Sequence, residues 1–219
     1  GFVLALIGPI VLLYGGLEGV TIAVQLALIA ALTAIPFVWR DIDWKRTWML
    51  IWPGLIAAPF GAVLVWSLPE PALLLMVALL AYCTLLVGRM PVLLSALTGT
   101  SGARIAGATA GMLHITSGLS GPPIAAYAVN DKWDQRSFVA SVQLVFGVFS
   151  VMAVALRPMP TTPIGEIALM GVATVVGIAL GTWLLRFVPA RAARIAMLTV
   201  AWVGATVVLV RGLLALLAG

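Results

Sequence analysis

Charge is what this chain has least of. Asp, Glu, Lys and Arg make up 9% of its 219 residues, against roughly 25% in an ordinary soluble domain, while 63% are hydrophobic against about 45–50%. Too few polar side chains exist to cover a water-facing surface, so a soluble globular domain is excluded. Cysteine is nearly absent too. The single Cys83 lies inside an apolar stretch, which excludes an intrachain disulfide and a cysteine metal cluster and leaves the reading of a small buried packing residue. No Asp, Glu, Lys or Arg falls near the middle of an apolar span, so no buried charge is expected there, and a cation pore lined by carboxylates is disfavoured. The chain starts at Gly1 without an initiator Met, a basic n-region or a cleavage-site pattern. It is therefore expected to carry no signal peptide and to begin mid-protein.

What is present is a series of apolar stretches of about 17 to 25 residues, the length that crosses ~30 Å of hydrocarbon. Full spans are expected near residues 20–39, 48–67, 72–88, 138–156, 166–187 and 192–210. The fold class is thus all-α, a polytopic membrane protein. The net charge of +5 does not indicate nucleic acid, because the bases cluster at span ends instead of forming one basic face. Two apolar pieces stand apart. Residues 2–14 are too short to cross alone, and residues 103–129 are interrupted by Ser117-Gly118-Leu119-Ser120-Gly121-Pro122-Pro123, through which a continuous helix is unfavourable.

The halves repeat. Val24-Gln25-Leu26 returns as Val142-Gln143-Leu144, Gly61 and Pro69 return as Gly181 and Pro189, and Tyr82 falls opposite Trp202. The expected division is residues 1–100 for the first repeat, its leading half-helix missing, and 101–219 for the second, together one transmembrane domain. Loop charge then chooses between topologies. If 103–129 crosses the membrane, Arg40, Lys45, Arg46, Arg89, Arg104 and Arg157 face Lys132, Arg136, Arg186, Arg191 and Arg194, six against five. If it enters and returns as a hairpin, ten bases collect on one side, leaving Arg157 and Arg211 opposite, as the positive-inside rule requires. A re-entrant hairpin and two inverted repeats of three spans are therefore expected. Trp39, Trp44 and Trp48 would form an interfacial belt around the first basic cluster.

With no charge at depth, an ion has to be met by dipoles. The half-helix starting at Pro122 would point its positive end inward, toward an anion. Gly118 and Gly121 permit the turn or let a ligand approach the backbone, and Thr116, Ser117 and Ser120 bind an oxyanion or cap broken helix ends. Gln25 and Gln143 contact substrate or form an interhelical hydrogen bond. His114, the only histidine, could relay a proton or act as a satisfied interhelical donor. The spacings Gly107-x-x-x-Gly111, Ala57-x-x-x-Gly61 and Gly177-x-x-x-Gly181 allow close helix contact, within one subunit or in a homodimer.

Gly118-Leu119-Ser120-Gly121-Pro122-Pro123, followed by an apolar half-helix with Gln143 in the next span, resembles the TauE/SafE family of sulfite and sulfonate exporters over essentially the whole chain. That family carries a G-x-G-G type motif in each repeat. Here Ser120 stands where a Gly is common, and Gly1 is what remains of the first motif. The resemblance implies secondary active export of sulfite or a small organosulfonate, such as sulfoacetate, across a bacterial inner membrane. The candidate substrate site, from the residues and the resemblance together, is Gly1, Gln25, Thr116, Ser117, Gly118, Ser120, Gly121, Pro122 and Gln143, with His114 the candidate for proton coupling and no cofactor, metal or nucleic acid expected. An anion channel is the alternative. Gly118-Leu119-Ser120-Gly121 also fits the G-x-S-G pattern of rhomboid-type proteases, but no His follows Ser120, and His114, six residues upstream, is expected to lie beyond easy contact unless the turn folds it back.

Overall fold

Eight helices follow the apolar pattern in a computed structural model that describes residues 9–11, 13–87, 97–184 and 187–217. They are α1 (Gly16–Val38), α2 (Trp44–Ser67), α3 (Glu70–Val87), α4 (Gly99–Ser117), α5 (Gly121–Asn130), α6 (Gln135–Leu156), α7 (Ile164–Leu184) and α8 (Ala190–Leu217). Residues 9–11 and 13–14 are also helical. By length and hydropathy α1, α2, α6, α7 and α8 can each cross a membrane, and α3 is a shorter apolar helix. The chain is a polytopic membrane protein with no strand among the described residues. Each span starts earlier than its apolar run, and at α2 and α6 a polar residue before the run serves as the cap. Asp43 accepts from the Arg46 amide at the start of α2, and Asp134 from the Ser137 amide at the start of α6. The last helix runs past residue 210 to Leu217 and so includes Arg211.

Polar contacts group the helix ends into two sets. At one end, the near face, Arg136 pairs with Asp41 at 2.9 Å and the Asp43 amide donates to Ser141 Oγ at 3.0 Å. The end of α1 thus meets the start of α6. At the other end, the far face, Thr161 Oγ1 and the Thr162 amide donate to Glu18, at 2.6 and 2.7 Å, tying the segment after α6 to the start of α1. Helices α1 and α6 therefore run antiparallel. Trp66 Nε1 donates to the Leu156 carbonyl at 3.0 Å, so α2 and α6 end together on the far face.

Two cores result. One joins α1, α3 and α8 through Ile22, Leu26, Leu74, Ala78, Ala205 and Val208. The other joins α2, α4, α5 and α6 through Leu50, Ala106, Ala110, Ile124, Tyr127 and Phe149. The α2/α4 contact is backbone on backbone. A Cβ on Gly107 would stand 2.2 Å from the Leu50 carbonyl oxygen, one on Gly111 2.3 Å from that of Gly54, and one on Gly61 2.6 Å from that of Met112. Lipid offers no hydrophobic gain for helix association, so such close packing supplies the attraction. The first two spacings thus pack within the subunit, whereas Gly177 and Gly181 meet nothing within 4 Å. Cys83 departs from its expected burial. It is exposed on α3, where the surrounding apolar stretch suits lipid contact. Trp39, Trp44 and Trp48 are exposed as a belt requires.

Candidate functional site

The interruption after Ser117 divides one apolar segment into α4 and α5, and the two fold back on each other. Asp131, just past α5, accepts from the Gly99 amide at the start of α4 (3.0 Å), from Arg46 Nη2 (2.7 Å) and from the Tyr127 hydroxyl (3.2 Å). The free ends of the pair are thereby joined at the near face. The tip lies deep in the protein, with Thr116, Ser117, Leu119 and Ser120 all buried. Leu119 packs in the α1/α3/α8 core while Ile124 packs in the other, so the tip occupies the seam between them.

Gly118 makes the reversal. Its φ of 72° is left-handed, and its amide closes α4 by donating to the His114 carbonyl at 2.9 Å. This reversal is the fold-back on which contact between His114 and Ser120 depends. His114 Nδ1 lies 2.7 Å from Ser120 Oγ and Nε2 lies 2.9 Å from Ser150 Oγ on α6. In a neutral imidazole one nitrogen donates and the other accepts, so one serine accepts a hydrogen bond from the ring and the other donates one to it. Phe146 stacks on the ring at 6.2 Å and Phe149 tilts against it at 6.0 Å. The imidazole thus ties α4, the linker and α6 together. A hydrolytic dyad is normally oriented by a third group; here that position is held by a hydroxyl.

The other hydroxyls at the tip are occupied locally. Ser117 Oγ donates to the Leu113 carbonyl at 2.9 Å, and Thr116 Oγ1 donates to the carbonyls of Met112 and Leu113, both at 3.2 Å. Each has one proton, so in this arrangement both can only accept from a ligand. Pro122 and Pro123 occupy the first turn of α5 and have no N–H, which leaves Gly121 as the amide donor of that turn. A Cβ on Gly121 would meet Phe146 at 3.9 Å, so the glycine faces the same ring as His114. Phe146 lies one turn after Gln143 on α6, which brings that amide's helix to the tip. Gln25 and Gln143 are half-buried, and neither has an interhelical hydrogen bond among the described residues. At ~1.5 Å per residue, each lies about 12–14 Å into its helix from opposite faces, near mid-depth. Gly1 falls outside the described residues.

A buried charge, unexpected from the sequence, completes the site. Arg157, the residue after α6, is only 5% exposed. It reads as a loop residue because an apolar run ends before it and Pro158 follows. Its Nε donates to Thr21 Oγ1 at 3.1 Å, Nη1 to the carbonyls of Ile115 and Thr116, and Nη2 to the Leu17 carbonyl at a long 3.4 Å. Among the described residues no carboxylate pairs with it. Carbonyls satisfy donors without neutralising charge, so a full positive charge sits on the negative end of α4, beside the positive end of α5. Next to it, Thr116 and an apolar wall including Val20, Leu74 and Val77 enclose about 10 Å³, room for roughly one water.

The profile of the sulfite exporter TauE/SafE family matches residues 1–208 of the chain. No curated protein and no solved structure matches it. The chain belongs to the sulfite exporter TauE/SafE family.

Proposed function

We propose that this member of the family exports a small sulfur oxyanion, sulfite or an organosulfonate such as sulfoacetate, by secondary active alternating access across a bacterial inner membrane. The observation that carries the reading is the broken helix pair. Its tip sits at the seam of two cores and carries a helix N-terminus, a glycine amide and a nearby unneutralised guanidinium. Irregular backbone at membrane depth is tolerated where it is buried in protein or lines a cavity, and discontinuous helices of this kind hold ions in transporters. In this reading Gln25, Gln143, Ser120, Gly121 and Pro122 surround the anion, Thr116, Ser117 and Gly118 shape the turn, and Gly1 belongs to the matching tip of the first repeat. His114 carries the coupled proton through Ser120 or Ser150.

The same reading takes α4 and α5 as a re-entrant hairpin and residues 1–100 and 101–219 as inverted repeats. Three observations support it. The equivalent helices α1 and α6 are antiparallel, as the contacts at both faces require. The packing of α2 on α6 has its counterpart in that of α7 on α1. Helices α2 and α7 start at Trp44 and Ile164, and α3 and α8 at Glu70 and Ala190, each pair 120 positions apart.

The test is flux of sulfite, thiosulfate, sulfoacetate and sulfate into liposomes containing the protein. Transport above empty vesicles that responds to an imposed proton gradient, and that falls in Gln143→Ala and Ser120→Ala, is the expected result. Flux indifferent to an opposing gradient would make the protein an anion channel. If no sulfur anion moves, the substrate assignment fails.

A further inference from the structure

We infer that Arg157 is the far-face ligand of the transported anion, held in this conformation as a latch on the carbonyl end of α4 and handed to the oxyanion when the far face opens. The inference rests on the transporter reading and gives that reading a gate.

A buried guanidinium is unfavourable by several kcal/mol unless it is paired. Arg157 has hydrogen-bond partners but no carboxylate among the described residues, so the charge balance of its site is unfinished. The far-face carboxylates Glu18, Glu70 and Glu166 are engaged elsewhere. Glu18 accepts from Thr161 and Thr162, Glu70 from the amides of Gly16 and Leu17, and Glu166 from Tyr14. Arg157 is thus a cation whose missing counter-ion has to come from outside.

Capping alone does not explain it. Gly118 covers only the His114 carbonyl and Arg157 satisfies those of Ile115 and Thr116, but a neutral donor could do the same without burying a charge. Nor is it a scaffold element of the repeat. In the register that aligns Gln25 with Gln143, the counterpart of Arg157 is Trp39, the C-cap of α1, which is exposed at the near face. Among the described residues the device exists on one face only.

Its position is that of a latch. One guanidinium bonds the end of α4 and the start of α1 to the end of α6, and those three ends must separate for the far face to open. The chemistry selects the ligand. A guanidinium presents a planar fork of N–H donors that fits two oxygens of one sulfite, sulfonate or similar oxyanion. Of its five N–H groups, Nε and Nη1 are engaged closely, whereas Nη2 reaches Leu17 only at 3.4 Å and retains donor capacity. An oxyanion arriving beside Thr116 would take over this fork, and the carbonyls of Ile115 and Thr116 would be released together.

The experiment uses the full chain in liposomes, with Cys83→Ser as background and Val77→Cys, in the wall of the small cavity, as reporter. Sulfite is the probe. The expected result is a KM raised by about tenfold in Arg157→Gln, the loss of one charge-assisted pair, with partial recovery in Arg157→Lys. Arg157→Gln should also make the residue 77 thiol reactive from the far face, while in the Arg157 background it is shielded. If the parent protein carries no sulfur anion, the transporter reading falls and takes this one with it. If the parent transports sulfite and Arg157→Gln leaves KM within twofold, or lowers kcat alone with no change in labelling, Arg157 is a structural cap and the inference is overturned. Should Arg157→Gln not fold, Arg157→Lys decides: a KM unchanged within twofold sinks the proposal, and one raised severalfold with increased labelling sustains it.

Discussion

Tyr82 meets Trp202 edge to face, their ring centroids 5.4 Å apart, and the two residues stand 120 positions apart in helices whose first residues are also 120 apart. In the proposed inverted-repeat arrangement, such a contact puts both residues beside the axis relating the two halves. The Tyr82 hydroxyl is 2.9 Å from Thr206 Oγ1, which already donates to the Trp202 carbonyl, so Tyr82 is the donor. Hydrogen bonds within membranes contribute only about 0.6 kcal/mol on average. Tyr82→Phe should therefore lower unfolding stability in micelles by less than ~1 kcal/mol. Trp202→Ala, which also removes the ring contact and its packing, should cost about 2 kcal/mol or more. Equal losses in the two variants would mean that the aromatic contact adds nothing.

The face assignment predicts a labelling pattern. In a Cys83→Ser background, Lys132→Cys and Met159→Cys place thiols at exposed positions of the near and far faces. A membrane-impermeant maleimide applied to sealed, right-side-out vesicles should reach only one of them. Labelling of both from one side would remove the antiparallel arrangement of the halves.

The glycine contacts divide by position. Gly111→Ala would force a carbon to within 2.3 Å of the Gly54 carbonyl oxygen, so α2 and α4 would have to move apart, at a cost of about 1–3 kcal/mol. Gly177→Ala meets open space on an exposed helix surface and should be neutral or slightly stabilising, since alanine favours the helix by up to ~1 kcal/mol. Thermal unfolding of the purified protein by intrinsic tryptophan fluorescence would compare them directly.

Asp131 is a three-way clamp, and only its charged form accepts strongly from Arg46, Gly99 and Tyr127. Asp131→Asn should cost about 2 kcal/mol and loosen the open end of the α4/α5 pair. The measurement is hydrogen exchange, expected to rise at residues 99–104 and 128–134 and to stay unchanged at the tip. Uniform exchange across both helices would mean that the clamp holds nothing locally.

Ser120 and His114 are in hydrogen-bond contact, so a fluorophosphonate probe is a fair test of nucleophilicity. Both ring nitrogens bond to hydroxyls, and Ser150 occupies the place of an orienting carboxylate. No adduct at Ser120 is expected in liposomes. A probe adduct there would revive the hydrolase reading.

The spans were legible because membrane thickness imposes a length on apolar runs, and the break was legible because Gly118, Pro122 and Pro123 disfavour continued helix. Helix starts were placed late, because caps such as Asp43 and Asp134 read as loop until the amides they accept from are seen. The His114–Ser120 contact was missed because helical spacing puts positions six apart on different faces, and only the reversal at Gly118 removes that separation. Arg157 was missed for a different reason. Burial after the end of a helix depends on Thr21, Ile115 and Leu17, partners about 40 to 140 positions away, which no local pattern encodes. One cue was present: Arg157 and Arg211 were the two bases left over when the others were sorted to one face.

The paired prolines at the start of α5 bear on how firmly any cargo is held. In the proposed site they keep the field of the helix N-terminus but remove two amides that could grasp an anion, so the energy well there would be shallower than in a fully hydrogen-bonded nest. Residence time grows exponentially with well depth, and a carrier has to let go on every cycle. On the proposed reading Pro122 and Pro123 favour turnover over affinity, and restoring an amide at either position should bind the anion longer and move it more slowly.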